Sequence, residues 1–189
     1  MKKLLIPLLL AALLLGSFPG CKAAGPVSPA SDPAANEPAP SAVPATEEPA
    51  ADAAQTLQFT TTDLDGATVS MDDFRDAKLI LVNYWEPWCG PCVGELPELA
   101  RLYDDYAEQG LVILGVFSSL EDDAKRLAEE NGVHYPLLHA NEELAQFMTS
   151  YVPTTILVSP DGTVLLEEPL IGANDYAGWE AVIRPYLAP

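Results

Sequence analysis

Two stretches of the chain, 78–84 (KLILVNY) and 111–117 (LVILGVF), are apolar almost without a break. Short runs of that kind predict strands buried on both faces. Between them Leu96, Leu99, Leu102, Tyr103 and Tyr106 recur every three or four residues, which predicts a helix from just after Pro91 to about Gln109, ended by Gly110. Residues 121–130 read as an acidic helix closed by Asn131-Gly132, 141–147 as a shorter one, and 175–187 as an amphipathic closing helix. Extended pieces are expected at 57–61 and 68–71, separated by Asp65-Gly66, and at 155–158 and 164–168, joined as a hairpin through Pro160-Asp161-Gly162. Strands alternating with helices and closing on a hairpin and a helix predict an α/β fold with a mixed central sheet flanked by helices.

This pattern fills 55–189 and stops there. Residues 22–54 hold 7 Pro and 12 Ala in 33 positions, with Val27 and Val43 as the only branched apolar residues. Too little apolar surface is available to offset chain entropy, so a disordered tether is expected over 21–54. At about 3.1 Å per residue it would reach roughly 100 Å when extended. Ahead of it, Lys2 and Lys3 precede an apolar run from Leu4 to Leu15, followed by Gly16, Ser17, Pro19 and Gly20. That order is the layout of a secretory signal over 1–20, and the run is short for a span of about 20 residues. Gly20-Cys21 at its end resembles a bacterial lipoprotein signal, in which the cysteine becomes the lipidated first residue; Phe18 and Pro19 depart from that motif. Lipidation at Cys21 and release after ordinary cleavage both place the domain outside the cytoplasmic membrane.

Charge narrows the partners. Residues 55–189 carry 23 acidic and 6 basic side chains, a formal −17. Nucleic acid is excluded as a partner, because its backbone is bound chiefly by Lys and Arg, and anionic lipid is disfavoured. A basic protein segment is the kind of partner such a surface steers.

The chemistry lies in Trp88-Cys89-Gly90-Pro91-Cys92, directly after the first buried run and at the expected start of a helix. A thiolate in a first helical turn is favoured by the free backbone N–H groups there. Pro91 suits an early helical position, and two intervening residues let the sulfurs meet. Zinc would need four ligands, and His134 and His139 follow no ligand pattern. Haem attachment needs His at position 93, which is Val. A disulfide closing so small a loop would stabilise little. Dithiol redox exchange is the remaining chemistry, with no cofactor implied.

The segment WEPWCGPC is similar to the active site of the thioredoxin fold. Together with the export signal, the tether and the run Cys92-Val93-Gly94-Glu95-Leu96-Pro97, it resembles the membrane-attached TlpA and ResA type reductases linked to cytochrome c maturation. The resemblance covers 55–189. It implies a thioredoxin-like fold, Cys89 as exposed nucleophile, Cys92 as resolving thiol, and a cis Pro153 in Val152-Pro153-Thr154 lying against the disulfide. Glu95 corresponds to the acidic residue placed near the thiols in that branch; its alternative is a solvated first-turn glutamate. Asn83 departs from thioredoxin, which has a buried aspartate there. Trp85 and Trp88 are expected to frame the site, one more buried and one beside the nucleophile, with Gly90, Pro91 and Thr154 supporting. Glu86 is expected at the surface.

The implied activity is reduction of a disulfide in an exported protein, such as apocytochrome c, with a membrane thiol reductant restoring the dithiol. The rivals are an oxidase or isomerase using the same sulfurs, a binding module on the same scaffold, and a peroxidase of the peroxiredoxin kind. The last would require an arginine beside the cysteine, and the closest in sequence are Arg75 and Arg101.

Overall fold

A computed structural model describes residues 55–188. The expected signal, Cys21 and the tether lie outside the described residues. Among the described residues no helix is long and apolar enough to cross a membrane.

The sheet is built on the two apolar runs. They form β3 (Leu79–Tyr84) and β4 (Leu111–Phe117), parallel neighbours joined by α1 (Gly90–Tyr106). Parallel strands need such a crossover. A short 3-10 turn (Ala107–Gln109) and Gly110, at φ 103°, end the helical segment. β5 (Leu137–His139) adds parallel to β4, while β6 (Thr154–Val158) adds antiparallel to β3 and β7 (Leu170–Ile171) antiparallel to β6, giving the order β5-β4-β3-β6-β7. β1 (Thr60–Thr62) and β2 (Thr68–Ser70) make a separate hairpin, followed by a 3-10 turn at Met71–Phe74. α2 (Glu121–Glu130), α3 (Glu142–Ala145) and α4 (Tyr176–Leu187) complete a thioredoxin-like α/β fold.

Every residue of β3 is buried, and its alternation sorts the core into two halves. Leu79 and Leu81 pack with α1 and α4 through Leu96, Leu99, Trp179 and Ile183. Ile80, Val82 and Tyr84 pack on the opposite face with Leu57, Phe59, Met71 and Leu144. A strand covered on both sides has no polar face, which is why the run reads as continuous rather than alternating. The one polar residue in it, Asn83, falls on the α1 and α4 side and lies between Gly115 and Thr155 on the neighbouring strands.

The C-terminal hairpin differs from expectation. Val164 bridges Val158 and the Leu165 N–H reaches Leu157 O at 2.8 Å, but 166–169 leave the sheet and pairing resumes only at β7. Pro169 has no N–H to contribute to a ladder, so an unbroken strand over 164–168 cannot run on into 170. Beginning at Thr60 rather than 57, the first strand is also shorter, and β5 was not expected at all.

Candidate active site

Cys89 is the N-cap of α1, extended at φ −89° and ψ 104°, and Pro91 sits in the first turn where its missing N–H leaves no bond unmade. Its Sγ is bonded to that of Cys92, with Cα atoms 5.2 Å apart, and also accepts the Cys92 N–H at 3.2 Å. The Cys89 sulfur thus takes up one of the free amides of the first helical turn. Both are covered in this oxidised state: Cys89 is 6% exposed and Cys92 1%. That departs from an openly exposed Cys89, although Cys89 is the less covered residue of the two.

Opposite the disulfide runs the loop before β6. The Val152–Pro153 peptide is cis, and Val152 O lies 3.6 Å from Cys89 Sγ. Thr154 fixes this loop, its hydroxyl donating to Tyr151 O at 2.6 Å and meeting Thr149 Oγ1 at 2.9 Å. The Gly172 N–H donates to Pro153 O at 2.9 Å, tying the loop to the end of β7. Trp85 is buried, whereas Trp88 (66% exposed), Tyr151 (67%) and Ile171 (60%) are large apolar side chains left open on the three segments that meet here. Gly90 and Pro91 are exposed at the helix start between them.

Behind Cys92, three residues on and so on the same side of α1, Glu95 is only 2% exposed. Its Oε1 accepts from Asn174 N at 2.7 Å and Trp179 Nε1 at 2.9 Å, and its Oε2 from Asn83 Nδ2 at 3.2 Å. Asn83 also donates to Thr155 Oγ1 at 3.0 Å. Burial pushes the Glu95 carboxyl above its ordinary value, with the three hydrogen bonds pulling the other way. The solvated first-turn alternative for Glu95 is thereby removed. Tyr135 joins the same buried patch: burial, and then the Glu95 charge, push its hydroxyl up. Among the described residues, Tyr135 Oη and Trp85 Nε1 have no hydrogen-bond partner.

Glu86 requires a correction. Expected at the surface, it is 4% exposed, and its carboxylate accepts from Ser118 N at 2.9 Å, from the Ser118 hydroxyl, and from the Ser119 hydroxyl at 2.5 Å. The end of β4 folds back under the loop that carries Cys89 and supplies these donors. Trp179, Asn174, Thr155 and the serine pair were not foreseen. Trp179 lies in the stretch read simply as an amphipathic closing helix, while Ser118-Ser119 directly after a buried strand was the one visible signal for a buried acceptor nearby.

The arginines raised by the peroxidase alternative are engaged elsewhere. Arg75 pairs with Asp72 at 2.6 Å, and the Arg101 guanidinium lies 3.9 Å over the Tyr176 ring.

Fold and site together define a thioredoxin-like domain with an active-site-type disulfide at a helix start. The chain belongs to the AhpC/TSA family, whose model matches residues 51–166. It is similar to the thiol-disulfide oxidoreductase ResA of Bacillus thuringiensis subsp. konkukian, 31% identical over 114 residues that cover 58% of this chain and 64% of that one. ResA of Geobacillus kaustophilus is 32% identical over 109 residues, covering 56% and 62%. The match thus spans less than two thirds of these relatives' own length. Among solved structures, a thiol:disulfide interchange protein of the thioredoxin family from Chlorobium tepidum superposes with TM-score 0.64 at 22% identity, covering 73% of this chain and all of that one. StoA from Bacillus subtilis gives 0.55 at 19%, covering 68% and 98%. At those identities the two structures speak for the fold.

Proposed function

We propose that this chain is an exported thiol–disulfide oxidoreductase that reduces disulfides in other exported proteins through Cys89 and Cys92. The observation that carries the reading is the Cys89–Cys92 disulfide at the first turn of α1, faced by Val152 O and rimmed by exposed Trp88, Tyr151 and Ile171. Apolar side chains left open around a reactive bond favour docking of another polypeptide.

In the reduced protein the Cys89 thiolate attacks one sulfur of the substrate disulfide, and the other sulfur leaves as a thiolate and takes up a proton. Cys92 then loses its proton and attacks Cys89, expelling the second substrate thiol and closing the 89–92 disulfide. Glu95 is the proton acceptor for Cys92. A carboxyl whose affinity for protons is raised by burial accepts one more readily than a solvated carboxylate. Two electrons from a membrane thiol reductant reopen the disulfide, since an oxidising compartment would otherwise keep it closed. The finer reading, drawn from the resemblance to the TlpA and ResA branch, is reduction of apocytochrome c before haem attachment by a domain held to the membrane through lipidated Cys21.

Cys92→Ser tests both levels. Lacking the resolving thiol, it should stall with the substrate disulfide-linked to Cys89, and thiol treatment of chain isolated from its host should release that partner. Apocytochrome c among the partners supports the finer reading, and a broad set of disulfide proteins points to general reduction or isomerisation. Equal insulin-reduction rates for the wild type and for Cys89→Ser/Cys92→Ser, with dithiothreitol supplied, would reject the enzyme in favour of a binding module.

A further inference from the structure

The loop between β3 and α1 holds a second buried carboxylate that the exchange cycle does not use. Glu86 stands three residues before Cys89, and its backbone carbonyl accepts the Cys89 N–H at 3.0 Å, so the two close a single turn. In such a turn the first and fourth Cα atoms lie within about 7 Å. The chain entering this turn is pinned to β4, with Trp85 N–H on Val116 O at 2.9 Å. The Glu86 side chain then reaches Ser118 and Ser119 at the end of that strand, and three donors converge on a group that can only accept. A hydrophilic loop residue would ordinarily face water. Burying one under a reactive cysteine costs desolvation, and the serines offset that cost.

We propose that Glu86 is a positioning residue for the dithiol: its clamped carboxylate fixes the turn that presents Cys89 and sets a negative charge against the Cys89 thiolate. This rests on the exchange reading above. In the first two turns of α1 and on the proline loop the other titratable side chains are Cys92, Glu95 and Tyr151. Beyond Trp85, Phe117 packs on His139 with ring centroids 4.8 Å apart, and His139 faces Glu121 at 4.0 Å. Of the two carboxylates nearest the disulfide in sequence, Glu95 lies on the Cys92 side and Glu86 on the Cys89 side. The consequence has a definite sign. A charge that disfavours the thiolate makes Cys89 a weaker acid and the reduced state less stable wherever that thiol would ionise. The couple is then a stronger reductant than the helix start alone would make it. As a general scale, a unit charge about 10 Å from a thiol at an effective dielectric constant of about 20 alters its ionisation constant on the order of tenfold.

The test uses the full chain and the Glu86→Gln, Ser119→Ala and Asp122→Asn variants. Cys89 ionisation is read from the pH dependence of its alkylation. The couple is read by equilibration with glutathione, two glutathione thiols giving up two electrons and two protons to the 89–92 disulfide and becoming glutathione disulfide. In Glu86→Gln, Cys89 should ionise at lower pH by about a factor of ten in acid constant. The exchange equilibrium should match wild type at acid pH and shift toward the dithiol by up to about tenfold, or roughly 30 mV for two electrons, once the thiol ionises. Ser119→Ala keeps the charge and two of the three donors, and Asp122→Asn removes an exposed, solvent-screened charge, so both should stay within about twofold at every pH. Should the glutamine variant not fold, Glu86→Ala reads the same shift. An equilibrium within twofold of wild type for the neutral Glu86 variant overturns the proposal. So does a shift in Ser119→Ala equal to that of the neutral variant, which would trace the effect to the hydrogen bonds and not to the charge. A wild-type chain that forms no reversible 89–92 disulfide would instead overturn the exchange reading itself.

Discussion

Trp179→Phe isolates the support that α4 gives to the buried acid. The indole is wholly enclosed, and its N–H is one of three donors to Glu95, at 2.9 Å on Oε1. Phenylalanine keeps most of the apolar contact with Leu96 and Leu99 but removes the donor and leaves a smaller ring, which costs about 1 kcal/mol. The hydrogen bond itself contributes about 1.5–3 kcal/mol when Glu95 is charged and about 0.5–1.5 kcal/mol when it is neutral. Asn174 N still reaches Oε1, so no acceptor is orphaned. The variant should therefore lose about 2 kcal/mol where Glu95 is protonated and about 2.5–4 kcal/mol where it is ionised. The difference between these states falls on the ionisation of Glu95, making it a weaker acid by roughly tenfold. Urea unfolding of both proteins across pH 4 to 9 should show the stability gap widening as pH rises. A carboxyl-carbon NMR titration should show Glu95 titrating at higher pH in the variant. A gap that does not change with pH, or a Glu95 titration unmoved or shifted downward, would refute the reasoning.

Other outcomes follow from the same geometry. Because burial raises the Glu95 carboxyl above its ordinary 4.5, the native state holds that proton longer than the unfolded chain, and stability falls as pH rises from the ordinary value through the raised one. Glu95→Gln should remove that fall, so unfolding midpoints of the variant should gain on wild type across this window; curves that stay parallel would return Glu95 to a solvated role. In Gly115→Ala the new Cβ would collide with Leu137 Cδ2 and come within 3.2 Å of Trp85 Nε1 and 3.3 Å of Tyr135 Cε2. The expected loss is about 1–3 kcal/mol by chemical denaturation, and a neutral result would contradict the tight packing. Lipidation of Cys21 should appear as a diacylglycerol or triacyl mass increment on membrane-extracted chain beginning at that residue, and an unmodified chain beginning elsewhere rejects the anchor.

What could be read from the sequence follows from how local each signal is. β3 and β4 were legible because a strand covered on both faces must be apolar throughout, and α2 because its acidic face and Asn131-Gly132 stop are local. The cysteine pair was legible because spacing and helix start lie within five residues. The environment of Glu95 was not. Its partners Asn83, Asn174 and Trp179 lie 12, 79 and 84 residues away in sequence, brought together by the packing of α4 on α1 and the sheet. Glu86 failed for the same reason in reverse. Glutamate beside proline in a loop reads as solvent-facing, and only the fold shows that the end of β4 covers it with hydroxyls 32 and 33 residues away. At 164–168 the pattern suggested a strand, but pairing with β6 stops after Leu165 and resumes only at β7, just past Pro169.

Asn83 and Glu95 explain each other. Position 83 lies in the middle strand, paired on one side with Gly115 and on the other with Thr155, with 1% of its surface exposed. A carboxylate there would stand within hydrogen-bonding reach of a second carboxylate, and two such groups cannot both ionise cheaply; they would titrate as a coupled pair. The amide avoids this by supplying donors, and its Nδ2 serves both Glu95 and Thr155. The buried acid beside Asn83 is thus carried by the helix that bears Cys92, one turn further along, instead of by the strand. On α1 it rides with the resolving thiol, and its proton affinity is raised by burial and drawn back by three donors from three different parts of the chain. An acid held in that way can differ in strength between related chains through changes at Trp179 or Asn83, without any change to the Cys-Gly-Pro-Cys segment itself.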